Sequence, residues 1–471
     1  MLRSLFKTLK TPEEAAAPPA AAPAAPDAPA MPGYTLTQSA AVVEAVRAAT
    51  ALSEGMTQEA WPEALARARA AHLAAPDDLE ALLGLASLLL TEDPAQSTEL
   101  YARAVALHPA SALLLYSLSQ SLQRLHRTEE AIAMMRLVVA AEPEIASYRY
   151  ALSMLLFLGG QYREGFFHFR ARNNAQELQQ KHPWINAVPP WDGESLSGRR
   201  LLVWTDWGGL GDELLFARYI AEVHRRFKPA ALYVSCSAQD RRLFANIEGV
   251  TEAFAEGGVF AVDCHAALLD LPCIFGTDLA SIPGSVPYLH PDPADVARWA
   301  ARLQGMSGLK VGLCWSSGFW NGDPHLIASR LNKSLSLELL APLCGIEGVT
   351  LVSLQKGGGL AQLAASGLPI HDFDADLKDM ADTAALAANL DLIITVDTSV
   401  SHLAGGLARP TLVLLPHSSG SFWLMHTERS PWYPGVRLLR HAHPDDWAGV
   451  AARAAELLRG YAARGAVDLF A

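Results

Sequence analysis

This 471-residue chain has few cysteines, no excess of positive charge and no long apolar run. Its formal net charge of −12 argues against binding nucleic acid over a broad surface. None of the five cysteines forms a Cys-x-x-Cys pair, and each lies in or beside an apolar segment. We therefore predict small buried thiols in a reducing compartment. Because no apolar run reaches the roughly 18 residues of a membrane-spanning helix, we expect a cytoplasmic globular protein without an integral membrane segment.

The first 38 residues lack the pattern of a folded element. The opening decamer, MLRSLFKTLK, is basic and has no apolar core of the kind found in signal peptides. Residues 11–33 are almost entirely Ala, Pro and acidic residues. Such a segment buries too little apolar area to offset the entropy lost on ordering, so residues 1–38 are predicted to be a disordered tail.

Residues 39–180 are helical in pattern, and the pattern repeats. Pro76, Pro109 and Pro143 each close a helical segment, at intervals of 33 and 34 residues. This is the period of tetratricopeptide repeats (TPRs), in which paired helices stack into a curved solenoid. We expect four repeats whose concave face binds a peptide. A spacer or a dimerisation element is the alternative interpretation.

After a proline-rich connector, apolar strands alternate with helices in two successive series. The predicted strands are residues 201–205, 232–235, 260–264, 310–315, 349–354, 392–396 and 411–415. The predicted helices are residues 213–227, 379–389, 400–408 and 444–461. We infer two Rossmann-like domains that face a cleft, residues 181–292 on the acceptor side and residues 293–471 on the side of the donor nucleotide.

The turn after the first strand is rich in glycine. Gly209 and Gly211 permit a tight strand-to-helix turn close to a ligand. Asp212 follows at the start of the helix, where it could act as a helix cap or as a chemical group. Three glycines before it, at positions 208, 209 and 211, favour a ligand-binding turn because a cap alone does not need them.

A second strand-to-helix turn, in residues 390–416, is the clearest candidate site. Asp397, Thr398 and Ser399 follow a β-branched strand and precede a helix that contains His402. A helix start at the carboxyl edge of a parallel sheet presents free N–H groups and the positive end of the helix dipole, which suit a phosphate. The same three residues are equally compatible with a simple helix cap.

A long loop, a strand end and two short patterns supply the remaining candidate site residues. The long loop of residues 316–334 contains Arg330 and Lys333, and long loops at strand ends are often functional. Gln355 and Lys356 end the next strand. Asp374-x-Asp376 and His441-x-His443 have the spacing of metal sites, but we predict a solvated loop and a surface pair.

Six ordered motifs together resemble one bacterial family: GGLGDELLFARYI, VGLCWS, RLNKSLSLELLAPL, VSLQKG, DLIITVDTSVSHLAGGLARPTLVLLP and SPWYP. Members of this family join TPRs to a glycosyltransferase domain of the heptosyltransferase type, and flagellin glycosyltransferases are among them. The layout is also similar to that of O-linked N-acetylglucosamine transferases. The resemblance covers nearly everything from about residue 40 onward. It implies a TPR solenoid followed by an α/β GT-B fold.

The resemblance also assigns roles to residues. It implies that Asp212 is the general base and that Lys333, assisted by Arg330, neutralises the donor diphosphate. The other implied substrate-binding positions are Gly209 and Gly211 in the first turn, Gln355 and Lys356 at the nucleotide, Asp397, Thr398, Ser399 and His402 at the donor phosphates and sugar, and Glu428 in a closing loop.

The predicted activity is transfer of a sugar from a nucleotide-sugar donor to a hydroxyl of a protein, a Ser or Thr residue, with flagellin as a plausible acceptor. The resemblance implies an inverting, metal-independent enzyme with neither a bound metal nor another cofactor, whose repeats recruit the protein. The alternatives are a transferase that acts on a lipid-linked or surface glycan, and a TPR scaffold with an inactive transferase domain.

Overall fold

The computed structural model describes residues 39–54, 60–172, 182–205, 209–255, 261–318, 332–417, 421–443 and 445–464. The predicted disordered tail, residues 1–38, lies outside the described residues, as does Arg330. The chain divides into two compact units, residues 1–174 and residues 175–471. No helix of the described ranges combines the length and apolar character that crossing a membrane requires.

The first unit is helical in its described residues. Its helices are α1 Ala40–Glu54, α2 Trp61–Ala74, α3 Leu79–Glu92, α4 Pro94–Leu107, α5 Ala112–Arg124, α6 Thr128–Ala141, α7 Ala146–Leu158 and α8 Tyr162–Phe169. Pro76, Pro109 and Pro143 each stand between the second helix of one pair and the first helix of the next. The predicted arrangement of TPR helix pairs is therefore confirmed.

Side-chain caps and small residues explain these helix pairs. The Asp93 carboxylate caps α4 by accepting a hydrogen bond of 3.0 Å from the backbone N–H of Gln96. Ala131, Met135 and Val138 recur along one face of α6 and are all 0% exposed. The repeat consensus places these apolar positions against the paired helix, which is why the period could be read from the sequence.

The second unit opens with a four-stranded parallel sheet. Its strands are β1 Arg200–Trp204, β2 Ala231–Cys236, β3 Glu252–Ala255 and β4 Cys264–Ala267, in the order β3-β2-β1-β4. Its helices are α9 Leu210–Phe216, α10 Arg218–Phe227, α11 Arg241–Phe244 and α12 Leu271–Ile274. Pairing of Leu201 with Leu232 on one side and Cys264 on the other fixes the register of β1. The carboxyl ends of β1 and β4 therefore meet at one edge.

This first sheet differs from the prediction in three places. The helix predicted over residues 213–227 begins at Leu210 and is divided at Ala217 into α9 and α10. The third predicted strand, residues 260–264, lies four residues too early, because β4 begins at Cys264. Strand β3 was not predicted, since its sequence, EAFA, is short and lacks β-branched residues.

A six-stranded parallel sheet forms the second half of this unit. Its strands are β5 Leu309–Cys314, β6 Val349–Ser353, β7 Ile370–His371, β8 Leu392–Val396, β9 Thr411–Leu415 and β10 Val436–Arg440. Its helices are α13 Pro293–Leu303, α14 Ala341–Cys344, α15 Leu360–Ser366, α16 Met380–Ala387, α17 Ser399–Gly406 and α18 Trp447–Arg464. The sheet order is β10-β9-β8-β5-β6-β7, so the chain reverses direction across the sheet between β5 and β8. Doubly wound folds bind ligands at such a switch point.

The core of the second half explains which strands could be predicted. Every residue of β8 and β9 is buried, and α18 covers one face through Ala454 and Leu458, both 0% exposed. Such strands appear in the sequence as continuous apolar runs. Strands β7 and β10 were not predicted, because β7 has two residues and β10 carries an arginine at position 437 and another at position 440.

Two buried or bridging arginines join the two halves of the second unit. Arg242 of α11 forms ion pairs with Asp295 of α13, with Asp379, at 2.8 Å, and with Asp382 of α16. Arg218 of α10 is 2% exposed and donates to the carbonyls of Pro283 and Trp432, each at 3.0 Å. The expected arrangement, a TPR array followed by two parallel α/β sheets, is confirmed.

Candidate active site

The Asp397 carboxylate is the centre of the second strand-to-helix turn. It is 8% exposed and directly follows β8. Nε1 of Trp423 donates to Oδ1 at 2.8 Å, and Nζ of Lys333 lies 2.7 Å from Oδ2. Burial alone would raise the pKa of this carboxyl, but the Lys333 charge and the two hydrogen bonds hold that pKa below its usual value. Asp397 is therefore a charged, fully engaged group.

The Lys333 ammonium is placed at the switch point by this ion pair. Its side chain is 30% exposed, whereas the Asp397 side chain is 7% exposed. An ammonium carries three N–H donors, so one such cation can contact a carboxylate and a second anion at the same time. The ion pair thus holds the Lys333 ammonium beside the carboxyl end of β8, next to the switch point between β5 and β8. Arg330, its predicted assistant, is outside the described residues.

Helix α17 begins directly beyond Asp397. Thr398 is its N-cap and accepts a hydrogen bond of 3.3 Å from the backbone N–H of Val400. Oγ1 of Thr398 also contacts Sγ of Cys314, the last residue of β5, at 3.7 Å. Ser399, half-buried, is the first helical residue. The cap interpretation therefore holds for Thr398, and this helix start adjoins the carboxyl end of β5, where doubly wound folds bind ligands.

The His402 ring is packed inside the first turn of α17. It is 5% exposed and stacks on Trp423, with ring centroids 4.9 Å apart and an angle of 11° between the planes. Its Nδ1 lies 3.2 Å from the hydroxyl of Tyr433. Burial lowers the pKa of His402 to about 4, although the nearby Asp397 carboxylate acts in the opposite direction. The ring is therefore neutral at pH 7.

The start of α9 lies against this ring. A Cβ atom placed on Gly211 would be 3.0 Å from Cδ2 of His402 and 3.6 Å from Cα of Ser399. Glycine at position 211 therefore allows the two helix starts to approach one another. Asp212, the next residue, is half-buried, and its carboxylate accepts a hydrogen bond of 3.2 Å from the backbone N–H of Gly209. The structure thus brings Gly211, the residue before Asp212, against Ser399 and His402 at the start of α17.

Gln355 and Lys356 are engaged with their own fold. Oε1 of Gln355 accepts from the backbone N–H groups of Trp315 and Ser316, and Nε2 donates to the Ser316 carbonyl. Nζ of Lys356 lies 2.9 Å from the carbonyl oxygens of Asp374 and Leu377. Gln355 thus braces the turn after β5. Direct nucleotide contact by either side chain stays a prediction.

Glu428 is bound by two arginines at the far edge of the same sheet. Its carboxylate contacts Arg437 of β10 at 2.9 Å and Arg453 of α18 at 2.6 Å. These hydrogen bonds and charges outweigh its partial burial and lower the pKa of Glu428. A role in ligand binding for Glu428 stays a prediction.

The two short patterns have different outcomes. Asp374 and Asp376 lie in a 3₁₀ helix, where they form ion pairs with Lys356 and Arg302. His441 was predicted to lie on the surface, and this prediction is wrong, because the ring is 4% exposed and packs edge-on against Trp447. His443 is exposed as predicted. Across the described ranges, no group of three or more His, Cys, Asp or Glu side chains is arranged to hold a metal ion.

Sequence reasoning missed three aromatic residues of the site. Trp423 binds Asp397 and stacks on His402, and Tyr433 contacts His402 and the hydroxyl of Tyr288. Trp423 and Tyr433 lie in the segment between β9 and β10, which is rich in serine and tryptophan. The concentration of tryptophan and tyrosine in an otherwise polar loop was the available signal, since such side chains seldom stay in water.

A cavity of about 550 Å³ is lined in part by Ser334, the residue that follows Lys333 in the chain. Its lining also includes Ser316, Gly358, Gly359 and Gln362. Its volume is within the range of small-molecule sites, and hydroxyl and amide groups in its wall supply hydrogen-bond partners.

Comparison with known proteins identifies a similar curated protein. No family model matches the chain. Protein FlbA of Caulobacter vibrioides is 31% identical over 347 residues, which cover 68% of this chain and 56% of FlbA. The chain thus spans little more than half the length of that relative.

Similar solved structures include glycosyltransferases. E. coli ADP-heptose LPS heptosyltransferase II is 16% identical with a TM-score of 0.42, covering 56% of this chain and 99% of that chain. A family 9 glycosyltransferase from Veillonella parvula is 10% identical with a TM-score of 0.40, covering 53% of this chain and 88% of that chain. The O-GlcNAc transferase of Thermobaculum terrenum is 16% identical with a TM-score of 0.26, covering 92% of this chain and 95% of that chain. These neighbours are of the kinds that the sequence motifs resemble.

Proposed function

We propose that the chain is a glycosyltransferase that moves a sugar from a nucleotide-sugar donor to a hydroxyl group of a protein, with inversion and without a metal ion. One observation carries the proposal. The helix start that holds Asp212 lies against the helix start that follows Asp397, through the contact of Gly211 with His402. This contact supports the proposal, because it brings the segment that carries the Asp212 carboxylate close to groups suited to hold an anionic leaving group.

The donor side consists of Lys333 and the start of α17. Sugar transfer breaks the bond between the anomeric carbon and a phosphate oxygen, and the electron pair leaves with that oxygen. The Lys333 ammonium, fixed by Asp397 at 2.7 Å, and the N–H groups of α17 would stabilise this charge. The 550 Å³ cavity lined by Ser334, the residue after Lys333, would hold the nucleoside.

The acceptor side is the turn at Asp212. Its carboxylate would take the proton of the acceptor hydroxyl while the hydroxyl oxygen attacks the anomeric carbon. A single displacement of this kind inverts the anomeric configuration. The backbone N–H of Gly209 holds the carboxylate at 3.2 Å, so that its orientation is set before the acceptor arrives.

A protein acceptor is the substrate class that the TPR unit favours. Arrays of helix pairs present extended concave surfaces that commonly hold peptides. We propose that the repeats recruit a protein whose Ser or Thr hydroxyl is glycosylated, with flagellin as the first candidate. We also place the reaction in the cytoplasm, since none of the five cysteines, all of which lie in the described ranges, is part of a disulfide bond.

The deciding experiment compares the intact masses of proteins from native cells with and without this gene, beginning with the flagellar filament protein. We expect one protein to lose mass in whole sugar units when the gene is absent. If only lipid-linked or surface glycans change, the acceptor is not a protein. If neither proteins nor glycans change, the chain is an inactive scaffold.

Recruitment is tested by removing residues 39–178. Transfer to the full protein acceptor is expected to fall, while transfer to a short acceptor peptide at high concentration is retained. Equal modification of the full protein with and without the repeats would remove recruitment from the proposal.

A further inference from the structure

The His402 ring ends a chain of three hydrogen bonds. Nδ1 of His402 lies 3.2 Å from the Tyr433 hydroxyl, and this hydroxyl lies 3.2 Å from the Tyr288 hydroxyl. The Tyr288 hydroxyl lies 2.8 Å from the backbone carbonyl oxygen of Leu214 in α9. The chain begins at a helix of the first sheet and ends at a helix of the second.

Counting protons along this chain fixes the state of the imidazole. Each of the three contacts needs one hydrogen, and the Leu214 carbonyl can only accept. The Tyr288 hydroxyl therefore donates to the carbonyl, and the Tyr433 hydroxyl donates to the Tyr288 oxygen. No hydroxyl proton remains for the third contact, so Nδ1–H of His402 must donate to the Tyr433 oxygen. If Nε2 carried the proton instead, one of the three contacts would bring two acceptor atoms together with no hydrogen between them.

The other ring nitrogen is consequently a bare acceptor. Nε2 of His402 has no hydrogen-bond partner among the residues that the structure describes, and it is not fully enclosed. It faces the start of α9, because a Cβ atom on Gly211 would lie 3.7 Å from it. The stacked Trp423 ring and the Tyr433 contact fix the orientation of the imidazole.

The protonation state of the His402 ring supports the assignment of Nε2 as an acceptor. Burial lowers the pKa of His402 to about 4, so the ring carries no second proton at pH 7. A phosphate oxygen at this pH offers mainly lone pairs, which Nε2 cannot bind. A sugar or acceptor hydroxyl, in contrast, offers an O–H donor.

We propose that His402 accepts a hydrogen bond from a ligand hydroxyl group through Nε2, and that Tyr433 and Tyr288 are positioning residues that set its tautomer. The proposal rests on the proposed glycosyl transfer and refines it. It assigns His402 to a hydroxyl of the transferred sugar, while the phosphates fall to Lys333 and the start of α17.

The tautomer is tested without any ligand, by NMR of the full chain labelled with ¹⁵N at histidine. His402 is assigned as the signal lost in His402→Gln. We expect the shift pattern of a neutral ring protonated at Nδ1, and a loss of that preference in Tyr433→Phe. The control is Tyr219→Phe, which also removes a buried hydroxyl hydrogen bond, of 2.9 Å to Thr277, and should leave the His402 signals unchanged. A wild-type ring protonated at Nε2 would overturn the proposal.

The ligand group is tested by calorimetry with UDP, GDP and ADP and with the corresponding UDP-, GDP- and ADP-linked sugars. For the nucleotide that binds, we expect Tyr433→Phe to weaken the sugar-linked form by about tenfold and the free diphosphate by less than about twofold. Equal weakening of both forms contradicts a hydroxyl contact. If no nucleotide or sugar nucleotide binds the wild type, the proposed function fails, and with it the ligand assignment, while the NMR result still decides the tautomer.

Discussion

Asp212 and Asp397 occupy the same kind of position in the two sheets, yet their surroundings differ. Each follows a buried parallel strand and stands at the start of a helix. Asp212 is half-buried and accepts a hydrogen bond from the backbone N–H of Gly209. Asp397 is 8% exposed and holds Lys333 and Trp423. One sequence signature has therefore produced a half-buried carboxylate at one sheet edge and, at the other, a buried carboxylate that anchors its neighbours.

This difference shows that a strand–Asp–helix pattern does not define a role. A general base needs access to a substrate and a pKa suited to proton transfer, whereas an anchoring carboxylate needs partners for its charge. The partners of Asp397 come from distant segments, at positions 333 and 423. Four measurements separate the two roles.

The largest effect is expected from Asp212→Asn. The amide can still accept the hydrogen bond from Gly209, but it cannot take a proton, so kcat should fall about 10²- to 10⁴-fold with donor binding retained. Asp270→Asn, a half-buried aspartate in the same half of the unit, is the control. Steady-state kinetics and donor calorimetry check the result. Unchanged kcat would exclude Asp212 as the base.

Asp397→Ala should chiefly lower stability. It leaves Lys333 without its carboxylate and Trp423 Nε1 without its acceptor, and we expect a loss of about 3 kcal/mol in the free energy of unfolding. Asp374→Ala removes the more exposed ion pair with Lys356 and should cost at most about 1 kcal/mol. Urea unfolding followed by tryptophan fluorescence compares the two. Equal losses would show that burial does not distinguish these pairs.

The pH dependence of stability should reflect the buried ring beside Asp397. His402 has a folded pKa of about 4, whereas an unfolded histidine titrates near about 6.5. Between these values the unfolded chain binds the extra proton, so lowering the pH destabilises the fold, by on the order of 3 kcal/mol. The pKa of Asp397 is also lowered in the folded chain. This carboxyl therefore adds a separate loss of folding stability as the pH falls below about 3.9, the pKa of an unfolded aspartate.

Unfolding measured at pH 7 and pH 4.5 in wild type and His402→Gln checks this expectation. The variant should lose less stability than the wild type over that interval. His443→Gln, at an exposed position, serves as the control and should behave as the wild type. A variant with the full wild-type loss would mean that His402 is not the titrating group.

The smallest effect is expected from Gly211→Ala, which tests the contact between the two helix starts. A methyl group would lie 3.0 Å from Cδ2 of His402, so the ring or α9 must shift by a few tenths of an ångström. We expect a loss of about 1–2 kcal/mol in stability, with a fall in kcat from displacement of Asp212. Gly305→Ala, where the added methyl meets nothing within 4 Å, should be neutral in both assays.

The sequence alone determined the repeat period and most of the strands. Proline spacing revealed the helix pairs, and β8 and β9 were predicted with the same residues that the structure assigns to them. These patterns are local, because periodicity and buried apolar runs depend on a residue's own segment. The start of α17 and its cap at Thr398 could likewise be predicted from neighbouring residues.

Only the tertiary structure decided how the side chains at the two sheet edges are used. It engaged Gln355 within the turn after β5, placed Trp423 on Asp397 and His402, and set Tyr433 against the ring. It also buried His441, which its polar neighbourhood in the sequence did not indicate. These contacts join residues far apart in the chain, and their geometry depends on how the two sheets pack. Local sequence therefore specifies where a helix starts, whereas packing specifies which groups that start can bind.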